Sequence, residues 1–183
     1  MDRHAWIDRL KAGDAIAFDE IFELFRPRLF GFVVRLCPSR VAAEDIVQET
    51  FVRLVERRRR LDPGTDLGGW LFTVARNLAR SQGRWRAVAA SASAVLGAAP
   101  SSTVESPMER AAGSEALRHL ERALARVAPK HREVLLLVGL EGLSAAEAGT
   151  ILGLSAEALR QRLSRARAAL ARAMGEVPPE GSG

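Results

Sequence analysis

Apolar residues along this chain recur at steps of three and four, and strict strand-type alternation is missing throughout. The charged start, Met1-Asp2-Arg3-His4-Ala5-Trp6, leads into an amphipathic helix. Asp14 is placed to cap a helix carrying Ile16, Phe18, Ile21, Phe22 and Phe25, and Pro27 to open another with Leu29, Phe30, Val33, Val34 and Cys37. The pattern predicts a further helix from about Val41 to Arg58, with Ile46, Val47, Thr50, Phe51, Leu54 and Val55 on its apolar side. Asp62-Pro63-Gly64 breaks the chain, and the next helix runs from near Leu67 to about Arg86.

Between residues 87 and 113 the periodicity gives way to Ala, Ser, Gly and Pro. Alanine there allows a helical turn, while Pro100 and Pro107 interrupt any long helix. Periodicity resumes as Ser114–Val127, Pro129–Leu140, Ser144–Leu152 and Ser155–Met174, followed by a Pro/Gly tail over 175–183 that reads as disordered. Ser144 with Glu147 forms a capping box, and Gly142 and Gly153 supply turns. A short helix, a glycine turn and a basic helix together read as a helix-turn-helix. The fold class is therefore all-α, two small helical domains over 1–86 and 114–174 joined by a flexible linker over 87–113.

The chain has 183 residues, 48% of them hydrophobic, which is enough for one ordinary core or two small ones. Its formal charge of +5 favours a polyanionic partner. Nearly all the basic residues are arginine, with lysine only at Lys11 and Lys130. Cys37 is the only cysteine, so no internal disulfide or thiolate cluster is available, and its apolar surroundings make it a small buried hydrophobe. No apolar run approaches the roughly 20 residues of a membrane span. The start is unlike a signal peptide, and a reducing cytoplasm is the expected location.

Three faces carry candidate chemistry. On the last helix, Leu159, Leu163, Ala166 and Leu170 form a buried stripe, leaving Arg160, Gln161, Ser164, Arg165 and Arg167 off it, with Arg162 and Arg172 further round. Arginine can make two hydrogen bonds to guanine and Gln to adenine, while further arginines neutralise phosphates. A merely solvated basic face has the same composition. Within Ala43–Phe51, Asp45, Gln48 and Glu49 share a polar, acidic face that is either solvated or docks on a basic partner. Arg76, Arg80 and Arg84 recur every fourth residue with Asn77 beside them, a positive edge suited to single-stranded DNA. Trp70 reads as core rather than a stacking platform, and Trp85 is open to either.

The blocks Ala43-Glu44-Asp45-Ile46-Val47-Gln48-Glu49-Thr50-Phe51 and Trp70-Leu71-Phe72-Thr73-Val74-Ala75-Arg76-Asn77, with the terminal stretch from Ser155 to Leu170, resemble bacterial sigma factors. Their order across a linker is similar to the extracytoplasmic-function, or group four, branch of the sigma-70 family, which keeps only sigma domains two and four. The resemblance implies a non-catalytic specificity subunit of RNA polymerase with no cofactor and no metal. Residues 1–86 would be domain two, docking on the beta-prime clamp helices through Asp45, Gln48, Glu49 and Phe51. That domain would open the −10 element along Arg76, Asn77, Arg80 and Arg84 and hold a flipped base in the loop from about Arg59 to Gly68. Residues 114–174 would be domain four, contacting the beta flap and reading the −35 element through Arg160, Gln161, Ser164, Arg165 and Arg167. The linker would thread toward the RNA exit channel. An anti-sigma factor would control the protein and could hold it at the membrane.

Three positions depart from the family pattern: Ser81 stands where Asp is usual, Glu157-Ala158 where Gly-Thr is usual, and Glu147-Ala148-Gly149 where Glu-Ile-Ala is usual. Gly149 puts a helix-weakening residue mid-helix, and Glu157 suits a helix N-terminus but could repel phosphate. A two-domain regulator that binds only DNA explains the terminal motif but not the two earlier blocks. A nuclease has little support, because His4, His119 and His131 are scattered without metal-ligand spacing and no nucleophile is paired with a base.

Overall fold

The computed structural model describes the backbone of residues 3–95 and 115–176, and the side chains of residues 6–83 and 115–175. Among these residues every regular element is helical, and the chain divides into two compact units, one within Met1–Glu105 and one within Ser106–Gly183. The first unit holds α1 (Arg3–Lys11), α2 (Ala15–Val34), α3 (Arg40–Arg57) with a 3-10 turn at Arg58–Arg60, and α4 (Leu67–Val95). The second holds α5 (Glu115–Arg126), α6 (Pro129–Leu135) continued by a π-wound turn over Leu136–Leu140, α7 (Ala145–Leu152) and α8 (Ala156–Glu176).

In the first unit α2, α3 and α4 pack against one another, and α1 lies on α2 and on the 3-10 turn. Ile21, Phe25, Leu29 and Phe32 make one buried stripe on α2. It meets Ile46 and Leu54 of α3 and Leu71 and Phe72 of α4 in the core, with the rings of Phe32 and Phe72 edge-to-face at 5.4 Å. The Asp14 cap forms as expected, its carboxylate accepting from the backbone N–H of Ile16 (2.9 Å) and Ala17 (3.3 Å). Pro27, however, does not start a helix: α2 runs straight through it. An interior proline costs about 3 kcal/mol through its missing donor and ring clash. Phe25, Leu29 and Phe32, on either side of it in one stripe, each contribute about 1.5–3 kcal/mol on burial, so continuity wins.

Two other boundaries differ from the sequence reading. The chain stays helical to Val95 where a tether was expected from residue 87, because Ala87–Val95 is alanine-rich and meets no Gly or Pro before Gly97. The rest of that tether, residues 96–114, and tail residues 177–183 lie outside the described residues. Cys37 and Trp70 are half-buried rather than core.

α1 is fastened to α2 by a polar network. The Arg9 guanidinium donates to Asp14 at 2.7 Å and to Glu20 at 3.0 Å, and the Trp6 indole donates to Glu20 at 2.9 Å. Hydrogen bonds from Arg9 lower the carboxyl pKa values of both Asp14 and Glu20, and Trp6 adds to the effect at Glu20. A depressed folded value stabilises above the ordinary values of 3.8 and 4.5 and is lost as the pH falls through the lowered ones. Glu20→Gln should therefore speed amide exchange in α1 at pH 7, and the difference from the native chain should shrink as the pH drops below those ordinary values. A pH-independent difference would show that the charge on Glu20 does not hold α1.

Candidate nucleic-acid interface

The second unit builds its helix-turn-helix from local rules. Ser144 Oγ accepts from the Glu147 N–H at 3.2 Å while Glu147 Oε2 accepts from the Ser144 N–H at 2.8 Å, so the capping box is complete. Gly153 ends α7 at φ +66°, a left-handed conformation that glycine adopts without strain, and Gly142 turns at φ +67° before it. The Leu154 N–H then donates back to the Gly149 carbonyl at 2.9 Å, which folds the turn tightly over the end of α7. A β-carbon at Gly149 would lie 2.8 Å from the Leu154 carbonyl oxygen, a backbone atom that cannot swing aside. Gly149 is therefore a steric requirement of the turn, and its helix-weakening character is secondary.

Ser155 caps α8 by accepting from the Ala158 N–H at 3.2 Å. Leu159, Ala166 and Ala173 are buried, with Leu163 and Leu170 half-buried alongside, where α8 packs on α5, α6 and α7. At about 100° per residue, Arg160, Gln161, Ser164, Arg165 and Arg167 fill an arc of about 160° on the opposite side. All five are exposed. The Gln161 amide donates to Glu157 Oε1 at 3.4 Å, so this acid orients a base-reading side chain. Nearby, the His131 imidazole is held below its ordinary pKa first by burial, then by the positive charges of Lys130, Arg162 and Arg165. The ring thus registers the positive field that α6 and α8 project together.

In the first unit the outward face of α3 is richer than the sequence reading had it. Asp45 and Gln48 are exposed as expected, while Glu49 is half-buried and accepts from Arg53 at 2.8 Å. Phe51 does not belong to this surface. It is 3% exposed, with ring centroids 4.8 Å from Phe22 and 6.2 Å from Phe18, because it lies about 100° or more round the helix from Asp45 and Gln48 and faces α2. Val55, expected on the apolar side, is 40% exposed, and Val41 and Val52 are exposed at 67% and 43%. Val41, Asp45, Gln48, Val52 and Val55 follow steps of four, three, four and three, a seam-like stripe opposite the core. The same spacing in the sequence was the signal that could have found it.

On α4, Asn77 and Arg80 are exposed, and Arg84 lies on helical backbone with its side chain outside the described residues. Arg76 is not part of a positive edge: it is 7% exposed and engaged with protein partners. It follows buried Phe72 by one helical turn and so shares its face, and each further step of four residues rotates about 40°, which brings Arg80 out.

Comparison with known proteins gives a consistent assignment. Residues 21–87 match the Sigma-70 region 2 model and residues 117–170 the Sigma-70, region 4 model. The RNA polymerase sigma factor CarQ of Myxococcus xanthus is 35% identical over 95% of this chain and 98% of its own length. The ECF RNA polymerase sigma factor EcfG of Rhodopseudomonas palustris is 32% identical over 79% of this chain and 77% of its own. Among solved structures, the sigma factor RpoE of Bartonella quintana, crystallised with the anti-sigma factor NepR, superposes with a TM-score of 0.73 at 29% identity, covering 86% of this chain and 96% of that one.

Gly149→Ala gains about 1 kcal/mol of helix propensity but incurs about 1–3 kcal/mol of overpacking against backbone. The expected outcome is a net loss of stability in urea unfolding together with weaker duplex binding; an unchanged or raised midpoint would contradict the close-approach argument.

Proposed function

The chain belongs to the sigma-70 family as an extracytoplasmic-function sigma factor, a non-catalytic subunit that binds core RNA polymerase and directs promoter-specific initiation, and we propose how its surfaces divide that work. The second unit reads the −35 element as duplex through Arg160, Gln161, Ser164 and Arg165, with Arg167 on phosphate. The outward face of α8 carries this reading: five exposed polar or cationic side chains stand on a helix whose approach angle is set by a capped, glycine-locked turn.

The first unit docks on the polymerase clamp helices through the α3 stripe of Val41, Asp45, Gln48, Val52 and Val55. Seam-like spacing suits a helical partner, and Asp45 sets the sign of its charge. Phe51 supports that stripe from within by fixing α3 on α2. The same unit opens the −10 element beside Asn77 and Arg80. An anti-sigma protein covers these surfaces when transcription is off, a reading supported by the partner-bound structure of RpoE. The protein works in the bacterial cytoplasm. No helix among the described residues is long and apolar enough to cross a membrane, so any membrane attachment runs through that partner.

Promoters mapped from transcripts made in vitro with core polymerase supply the test. Arg160→Ala or Arg165→Ala should reduce discrimination between the mapped −35 sequence and a scrambled duplex by about 1–3 kcal/mol per lost bidentate contact. Equal preference in the variant and native chains would refute the assignment. Asp45→Ala with Gln48→Ala should lower the holoenzyme yield in gel filtration without changing helix content by circular dichroism. An unchanged yield would move the docking surface elsewhere.

A further inference from the structure

Arg57 ends α3, and Arg58, Arg59 and Arg60 form the 3-10 turn that leads into loop 61–66. Arg58 is half-buried and donates to the Val55 carbonyl at 2.5 Å. Arg57, Arg59 and Arg60 are exposed, and among the described residues no carboxylate pairs with them. In 3-10 geometry residues three apart eclipse and each step turns about 120°, so Arg57 and Arg60 point to one side and Arg59 away from them.

Three like charges on one turn repel. The fold's return is at most the dipole interaction at a helix C-terminus, about 0.3–1 kcal/mol at an exposed site. Packing does not call for them either, since the core at this point is closed by buried Leu61. We propose that Arg57, Arg59 and Arg60 form a phosphate clasp for the displaced promoter strand, an inference that rests on the assignment of −10 opening to this unit. Guanidinium stays charged, is weakly hydrated and matches phosphate oxygens in pairs. Cations splayed around a turn suit a flexible single strand that bends about them, whereas duplex phosphates keep fixed positions. In the adjoining loop Asp66 is occupied, accepting from the Gly69 N–H at 3.1 Å to cap α4, so exposed Asp62 is the loop's one acid left to oppose the clasp.

The test uses holoenzyme reconstituted from the full chain and a mapped promoter pre-opened as a non-complementary bubble over −10, with affinity measured across a fourfold range of salt. Neutralising three single-strand phosphates contributes about 0.7 each to the slope of log affinity against log salt. Arg57→Gln, Arg59→Gln and Arg60→Gln together should flatten that slope by about two, so that the native chain loses about 20-fold more affinity than the variant from about 50 to 200 mM salt. Holoenzyme yield and helix content should not change, and the corresponding triple Lys variant should keep the native slope. Equal slopes in the Gln variant and the native chain, with start sites intact, overturn the clasp and leave the sigma function standing. A reduced holoenzyme yield at unchanged slope gives the trio to the polymerase and also overturns it. Failure of the native chain to initiate at any defined site sinks the proposed function itself.

Discussion

The backbone of α7 meets the turn that follows it at a distance that excludes even a methyl group. That approach, Gly149 against the Leu154 carbonyl, fixes where α8 begins and hence which of its side chains face outward. A helix that reads base edges must place side chains to within a fraction of an ångström, and a flexible turn would scatter them. The capping box at Ser144, the left-handed Gly153 and the Ser155 cap each remove one degree of freedom from the same junction. The cost of a glycine inside α7, about 1 kcal/mol, is thus offset by a geometry that no other residue allows.

The first unit solves a different problem with α3. One side of this helix is held by the Phe18, Phe22 and Phe51 rings, and the other leaves Val41, Val52 and Val55 in water around Asp45 and Gln48. Exposing valines gains the free chain nothing. Their regular spacing beside an acid is what a helical, basic partner would bury. In the second unit the sign is reversed, and α8 presents arginines. Opposite charge on the two working faces lets one chain address protein and DNA without either partner competing for the same surface.

Caps, turn glycines and the stripes of α2, α3 and α8 were legible in the sequence because each is decided within a few residues. The Asp14, Ser144 and Gly153 signals needed no tertiary information. Pro27 was misleading because its local penalty is smaller than the burial of the stripe on either side of it, a comparison that only the packed core makes visible. Phe51 and Arg76 were misplaced for a related reason: a motif says which residues recur together, not which side of the helix each one faces. Arg76 shares its face with Phe72 through one helical turn, and Phe51 shares its face with Thr50, Leu54 and Val47. Val55 erred in the other direction, an apolar residue on the solvent side whose partners in the 4-3-4-3 spacing were spread over fifteen residues.

Arginine, not lysine, furnishes nearly every cation on these surfaces. On α8 the distinction has a geometric consequence, since a planar fork can meet guanine O6 and N7 together while an ammonium is a point charge. At the end of α3 the consequence is electrostatic. Weak hydration reduces the desolvation cost of gripping phosphate, but packing three guanidinium groups onto one turn raises their mutual repulsion in the free chain. An anion relieves that repulsion as it binds, so its gain is greater than the sum of three isolated contacts. The turn is therefore least comfortable when empty, and a displaced DNA strand is the ligand that the proposed division of labour brings to it.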